Sequence, residues 1–250
     1  MIHVAAPKPW PYPRWIAHRG AGKLAPENTL AAFELGASYG YRMFECDVKL
    51  SADDVLFLLH DATLERTTNG RGQAREKSWA TLSQLDAGSW HSAGYAGQRL
   101  ASFEAITRFC LDNSYFLNIE IKPTPGLEFV TGKVLANAAA LLWKDAAVPP
   151  LLTSFQAASL QAAQRAQPQL PRGLLLDNLS PGWLSTALEL GCAAVVCKYT
   201  LWDAATVGQA RTAGLRTLSY TVNNESAVQR LLTLGTDGII TDRVDLFKPD

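Results

Sequence analysis

Two carboxylates two residues apart, Glu45 and Asp47, stand inside the apolar run MFECDV, residues 43–48. In an extended strand residues two apart share a face, so both carboxylates point the same way while Cys46 turns into packing. Glu120 and Lys122 repeat that spacing at the end of YFLNIEI, residues 115–121. Three carboxylates gathered at one place repel unless a cation neutralises them. Oxygen-only ligands favour one hard divalent ion, Mg²⁺ or Ca²⁺. The competing readings are a solvated pair at a frayed strand end for Glu45 and Asp47, and simple charge balance between Glu120 and Lys122.

The chain has four histidines, and two of them follow apolar runs directly: His18 after WIA and His60 after VLFLL. An imidazole titrates near neutral pH and can serve as general acid or base. A single histidine after a strand is often only a hydrogen-bonded structural group, but two beside a carboxylate cluster suit proton transfer. His3 and His91 lack such a setting. Arg19 and Lys122 are candidate phosphate ligands, Arg as a two-pronged donor and Lys as a point charge. Each could instead balance a neighbouring carboxylate. Glu27-Asn28-Thr29 follows Pro26 where a helix should start. It is expected either to cap that helix through Thr29 or Asn28, or to orient Arg19 or the metal ligands.

These groups need a frame that brings distant strand ends together. Nine short apolar runs read as strands: residues 15–18, 43–48, 55–59, 115–121, 151–155, 172–176, 193–197, 216–222 and 238–241. Amphipathic stretches lie between most of them, the pattern of parallel βαβ units. The expectation is one domain over residues 1–250: a (β/α)8 barrel with one extra or misassigned strand, whose reacting groups collect at the C-terminal strand ends. Asp47 to Val55 is too short for a crossover helix. Residues 61–100, rich in Gly, Ser, Thr and Trp, read as an insertion packed near the barrel mouth.

The bulk numbers narrow the function class. Of 250 residues 48% are apolar, enough for a large core, and 23 basic residues balance 23 acidic ones. Zero net charge gives no attraction to nucleic acid or to an anionic membrane. No apolar run reaches the roughly 18 residues of a membrane span, and the proline-broken opening MIHVAAPKPWPYPRW lacks the apolar core of a secretory signal. The four cysteines show no metal or redox spacing, which suits a reducing compartment. The expected setting is cytoplasmic, with no stable membrane association; the oligomeric state is not legible.

Taken in order, the motifs resemble the glycerophosphodiester phosphodiesterase family: His18-Arg19-Gly20, Pro26-Glu27-Asn28-Thr29, Glu45-x-Asp47, His60-Asp61, Asn118-Ile119-Glu120-Ile121-Lys122, Thr153-Ser154-Phe155, Tyr220-Thr221-Val222-Asn223 and Asp237-Gly238-Ile239-Ile240-Thr241-Asp242. The match runs from about Trp15 to Asp245. The opening and the block LPRGLLLDN are similar to the cytosolic bacterial branch linked to glycerol-phosphate uptake. The resemblance implies a TIM barrel with a small insertion after the third strand. It implies metal ligation by Glu45, Asp47 and Glu120, acid/base work by His18 and His60, and phosphate binding by Arg19 and Lys122. The substrate would be a small glycerophosphodiester such as glycerophosphocholine or glycerophosphoethanolamine, cut to sn-glycerol 3-phosphate and an alcohol. Two departures stand out. The family often has Trp where Tyr220 stands, so Tyr220 could alter packing of the glycerol or the leaving alcohol. It often has a Pro-Thr-Leu turn where Leu100-Ala101-Ser102-Phe103 stands.

The expected mechanism uses the free 2-hydroxyl of the glycerol as nucleophile, one histidine as base and the other as acid, through a cyclic phosphate. Direct attack by water is the alternative. Competing functions are a barrel phosphodiesterase acting on lysophospholipids or phosphoinositides, an enolase-like barrel with Lys122 as base, and a barrel that only binds glycerophosphodiesters.

Overall fold

The computed structural model describes residues 10–249. Residues 1–9, which include His3 and much of the stretch bearing on a secretory leader, lie outside the described residues. All nine runs expected as strands form strands. Eight of them are parallel and close on themselves: β1 (Trp15–Ala17), β2 (Met43–Leu50), β4 (Phe116–Ile121), β5 (Leu151–Ser154), β6 (Arg172–Leu176), β7 (Ala194–Lys198), β8 (Arg216–Tyr220) and β9 (Gly238–Thr241), with β9 returning to β1. Helices alternate with them: α1 (Leu30–Ser38), α3 (Phe103–Asp112), α4 (Glu128–Leu142), α5 (Ala157–Ala166), α6 (Trp183–Glu189), α7 (Ala204–Thr212) and α8 (Glu225–Leu234). The fold is a (β/α)8 TIM barrel.

The strands read as near-continuous apolar runs because both faces are buried. One face fills the barrel: Ile16, Met43, Leu151, Leu175, Val196, Leu218 and Ile240 pack together, with Tyr12 below them donating its hydroxyl to Pro149 O at 2.9 Å. The other face, including Phe44, Cys46, Val48, Leu117, Ile119 and Ile121, packs against the helices. Cys46 thus turns away from Glu45 and Asp47, as the alternation requires.

The ninth strand, β3 (Leu56–Leu58), is the irregular one. It runs antiparallel to β2 with Val48 opposite Leu58 and Leu50 opposite Leu56. The physical reason lies in strand length. β1 is three residues long and meets β2 only at Ala17–Phe44, so the upper edge of β2 lacks a barrel neighbour. A tight turn folds the chain back onto that edge, and Leu59 N bonds Asp47 O at 3.1 Å. His60 therefore arrives beside the acidic residues from a returning hairpin, not from the C-terminal end of a barrel strand.

Between β3 and α3 the chain forms an insertion of turns and short helices, including α2 (Trp79–Leu82). It has a small core of its own: Phe57, Leu59, Leu64, Ala74, Leu82, Ala87 and Leu100. Asp86 accepts from the backbone N–H groups of Gly88, Ser89 and Gly97, each at 2.8 Å, which holds its outer loops. Where the Pro-Thr-Leu turn is absent, Ser102 caps α3 by accepting from Ala105 N.

Candidate active site

The loop after β1 sets the first side of the site. Arg19 is left-handed, with φ of 52°, and its N–H donates to Glu45 Oε2 at 3.1 Å while its carbonyl accepts from Asn28 N. Gly22, also left-handed at φ 59°, lies so close to the end of β9 that a Cβ there would stand 2.2 Å from Asp242 Cα and O. That close approach brings Asp242 against His18, whose Nδ1 lies 2.6 Å from Asp242 Oδ1. Asn223 holds the other carboxylate oxygen at 2.8 Å and accepts from Asp242 N at 2.9 Å. Burial pushes the Asp242 carboxyl up, but the hydrogen bond and charge of His18 and the Asn223 bond win, so it stays below the usual range. A carboxylate only accepts, so His18 Nδ1 carries the proton and Nε2 is left facing the mouth, 3.8 Å from Glu45 Oε2.

The second imidazole is held the same way. His60 Nδ1 lies 2.7 Å from Asp61 Oδ1, and Arg66 from the insertion grips Asp61 through Nε at 2.6 Å and Nη2 at 3.0 Å. The same guanidinium reaches Glu27 at 2.7 and 2.8 Å, and Glu27 accepts from Arg19 Nη1 at 2.9 Å. One ion-pair chain thus joins His60 to Arg19. Lys122 Nζ stands 2.9 Å from His60 Nε2. Burial, reinforced by the Arg19 and Lys122 charges, holds the imidazole below its ordinary value despite the opposing pull of Asp47 and Asp61.

Between the histidines lie Glu45, Asp47 and Glu120, all buried, with ligand oxygens within 4.8 Å of one another. Burial first, then the neighbouring carboxylates, pushes Glu45 well up. The same causes lift Glu120 to about 7, with Lys122 partly opposing at 2.9 Å. Asp47 goes the other way: burial would raise it, but Arg19, Lys122 and His60 hold it well below the usual range. Asn28 positions it, donating Nδ2–H to Oδ2 at 2.9 Å and accepting from its backbone N–H at 3.2 Å. Asp47 Oδ1 is buried with no hydrogen-bond partner and has the Lys122 ammonium 3.7 Å away. Buried oxygens of this kind, one orphaned and two disfavoured as anions, are a donor set that fits a divalent cation.

The eight side chains expected from the sequence to transfer protons, bind substrate or hold a metal meet at this mouth. His18, Arg19, Glu45, His60, Glu120, Lys122 and Tyr220 line one pocket of about 180 Å³, with Asp47 buried behind them. Both sequence readings of the segment after Pro26 are realised at once: Thr29 caps α1, accepting from Ala32 N, while Glu27 and Asn28 orient Arg19 and Asp47. Tyr220 is tethered by its hydroxyl to Leu176 O at 3.0 Å and meets Phe155 edge-on. Sequence reasoning missed Asp242, Asn223 and Arg66 as orienting groups. Asp242 directly follows the strand GIIT, so the strand-end rule reaches it; Arg66 has no local signal.

A (β/α)8 mouth with two carboxylate-oriented imidazoles around a buried acidic trio is an arrangement able to exchange protons and to take up a cation. Residues 18–246 match the model of the glycerophosphoryl diester phosphodiesterase family. YhdW of Bacillus subtilis is 33% identical over 242 residues, covering 94% of this chain and 96% of that protein. A glycerophosphodiester phosphodiesterase of Caldanaerobacter subterraneus is 31% identical, covering 91% of this chain and 93% of its own. Among solved structures, an Oleispira antarctica phosphodiesterase in complex with the product sn-glycerol-3-phosphate superposes with a TM-score of 0.86 at 32% identity, covering 92% of this chain and 93% of that one. The chain belongs to the glycerophosphoryl diester phosphodiesterase family and is an enzyme, a phosphoric diester hydrolase.

Proposed function

We propose that this enzyme hydrolyses small glycerophosphodiesters, glycerophosphocholine and glycerophosphoethanolamine among them, to sn-glycerol 3-phosphate and the free alcohol. The observation that carries this reading is the pair of imidazoles at either end of the acidic trio, each with Nδ1 committed to a carboxylate. Glu45, Asp47 and Glu120 would hold one Mg²⁺ or Ca²⁺, which when bound polarises the phosphoryl group and offsets its growing negative charge. Arg19 and Lys122 turn from their carboxylate partners toward the phosphate oxygens. In the first step one histidine takes the proton of the glycerol 2-hydroxyl, whose oxygen attacks phosphorus. The P–O bond to the alcohol breaks, and the other histidine supplies that oxygen with a proton. Water then opens the cyclic phosphate with the histidine roles reversed. Asp242 and Asp61 keep each imidazole in one tautomer and stabilise its charged form.

The same reading takes the chain as one barrel domain, supported by a sheet that closes on itself. A cytoplasmic setting is supported by four buried free cysteines. Among the described residues no helix is long and apolar enough to cross a membrane.

The test is release of sn-glycerol 3-phosphate from glycerophosphocholine, with and without EDTA, by wild type, His18→Ala and His60→Ala. Release that needs added metal and is lost in both variants is expected. Cleavage of a 2-deoxyglycerol diester at the normal rate would sink the cyclic route in favour of direct water attack. No release from any glycerophosphodiester by folded, metal-loaded protein would overturn the reading as a whole.

A further inference from the structure

A phosphodiester has two arms, and the mouth has two compartments. The first is the 180 Å³ pocket with an apolar floor of Leu175 and Ile240. The second, about 360 Å³, adjoins it, with His60, Glu120, Lys122 and Phe155 lining both. Lys49, Asp61, Ser154 and Gln156 belong to the second compartment alone. Its charges are unequal in their commitments. Asp61 is answered by Arg66, and Glu120 by Lys122. Lys49, two residues beyond Asp47 on β2 and therefore on the same face, is buried at 4% exposure. Among the described residues its Nζ makes one hydrogen bond, to Lys122 O at 3.2 Å, and no ion pair.

We propose that the second compartment is the subsite for the leaving alcohol, and that Lys49 makes it select head groups rich in acceptor oxygens, carboxylates or polyol hydroxyls, over trimethylammonium. This rests on the phosphodiesterase reading above and deepens it. A buried ammonium with two uncommitted N–H donors gains from an acceptor placed beside it. A quaternary ammonium offers no acceptor and meets the like charge of Lys49, which has no carboxylate partner of its own among the described residues. The phenyl ring of this wall, Phe155, already has the Lys122 ammonium 5.7 Å from its centre, so it is poorly placed to cradle a second cation.

The experiment compares kcat/KM for glycerophosphoserine, glycerophosphoglycerol, glycerophosphoinositol and glycerophosphocholine in wild type, Lys49→Met and Lys49→Arg, all metal-saturated. Wild type is expected to favour the first three over the choline diester by at least about tenfold, the discrimination expected of a site that hydrogen-bonds its substrate. Lys49→Met should bring all four within about threefold by lowering the oxygen-rich substrates, with Lys49→Arg keeping the order. Equal wild-type rates on all four would overturn the subsite, and this comparison needs no variant to fold. So would a uniform loss in Lys49→Met, since that marks a lysine that merely props the Lys122 carbonyl. If wild type cleaves none of the four, it is the phosphodiester reading that fails.

Discussion

Asp242→Asn is the sharpest probe of the proposed acid–base pair, because the surroundings dictate how the new amide must sit. Asn223 donates Nδ2–H to Asp242 Oδ2 and accepts from the Asp242 backbone N–H, so its own orientation is set. An amide at position 242 keeps its oxygen toward the Asn223 donor, which turns its NH₂ toward His18 Nδ1. Nδ1 then has to accept, and the proton moves to Nε2, the nitrogen facing the mouth. Flipping the amide back restores the working tautomer but sets two NH₂ groups against each other. An unmade buried hydrogen bond costs about 1–3 kcal/mol, so only about one molecule in 5 to 150 holds the productive tautomer. Loss of the negative charge behind the imidazolium adds to this, and the total expected fall in kcat is about 10²–10⁴-fold. The fall is the same in kind whichever half of the proton traffic His18 handles, since the roles reverse in the second step. Steady-state release of sn-glycerol 3-phosphate at saturating metal measures it, with KM nearly unchanged. The second variant Asn223→Asp, added to Asp242→Asn, supplies an acceptor where Asn223 had a donor, turns the amide over and should recover at least about tenfold. Asp242→Asn with kcat within about threefold of wild type, or no recovery in a folded double variant, would refute the reasoning.

Arg66→Met should lower kcat/KM by about 10–100-fold, the usual cost of removing a group that orients the reacting ones. Its partly exposed salt bridges are worth less than about 1 kcal/mol of stability, so calorimetry should show a nearly unchanged Tm. In the metal-free protein Glu120 titrates at about 7, above the ordinary value of 4.5. The folded state therefore holds a proton the unfolded state has lost, and stability falls as pH rises from about 4.5 to 7. A divalent cation replaces that proton, so Mg²⁺ or Ca²⁺ should raise Tm more at pH 8 than at pH 5; equal shifts would show that the trio does not bind it. Gly22→Ala puts a Cβ 2.2 Å from the Asp242 backbone in a left-handed position, and should cost about 3 kcal/mol or more along with most of the activity.

Much of the site was legible because strand geometry is local. Spacing of two on a strand aligned Glu45 with Asp47, and nine apolar runs were enough to count the barrel. Contacts across the closed barrel were not legible. His18 and Asp242 are 224 residues apart in sequence and meet only when β9 returns to β1. Glu27 and Arg66 meet through the fold of the insertion, 39 residues apart, where periodicity carries no information. His60 was found for an incomplete reason. The apolar run before it marks only a strand end, while its height is set by a hairpin that folds back onto β2. The charge-balancing and phosphate-binding readings of Arg19 and Lys122 are compatible in this structure, since each is paired with a carboxylate and lines the mouth.

The returning hairpin also has a consequence for how the enzyme fails. His18 is carried on the barrel, whereas His60 joins the strand β3, paired with β2, to an insertion that has a small core of its own. A protein opens first in the unit with the least buried contact, well below the free energy of global unfolding. Warming or mild denaturant should release this insertion while the eight parallel strands stay protected from hydrogen exchange. Turnover then stops in a molecule that is still folded, and cooling brings it back as the hairpin re-docks. Activity is therefore expected to be lost on warming before hydrogen exchange reports any opening of the barrel strands, and a variant that stabilises only the barrel should leave the temperature of inactivation unchanged.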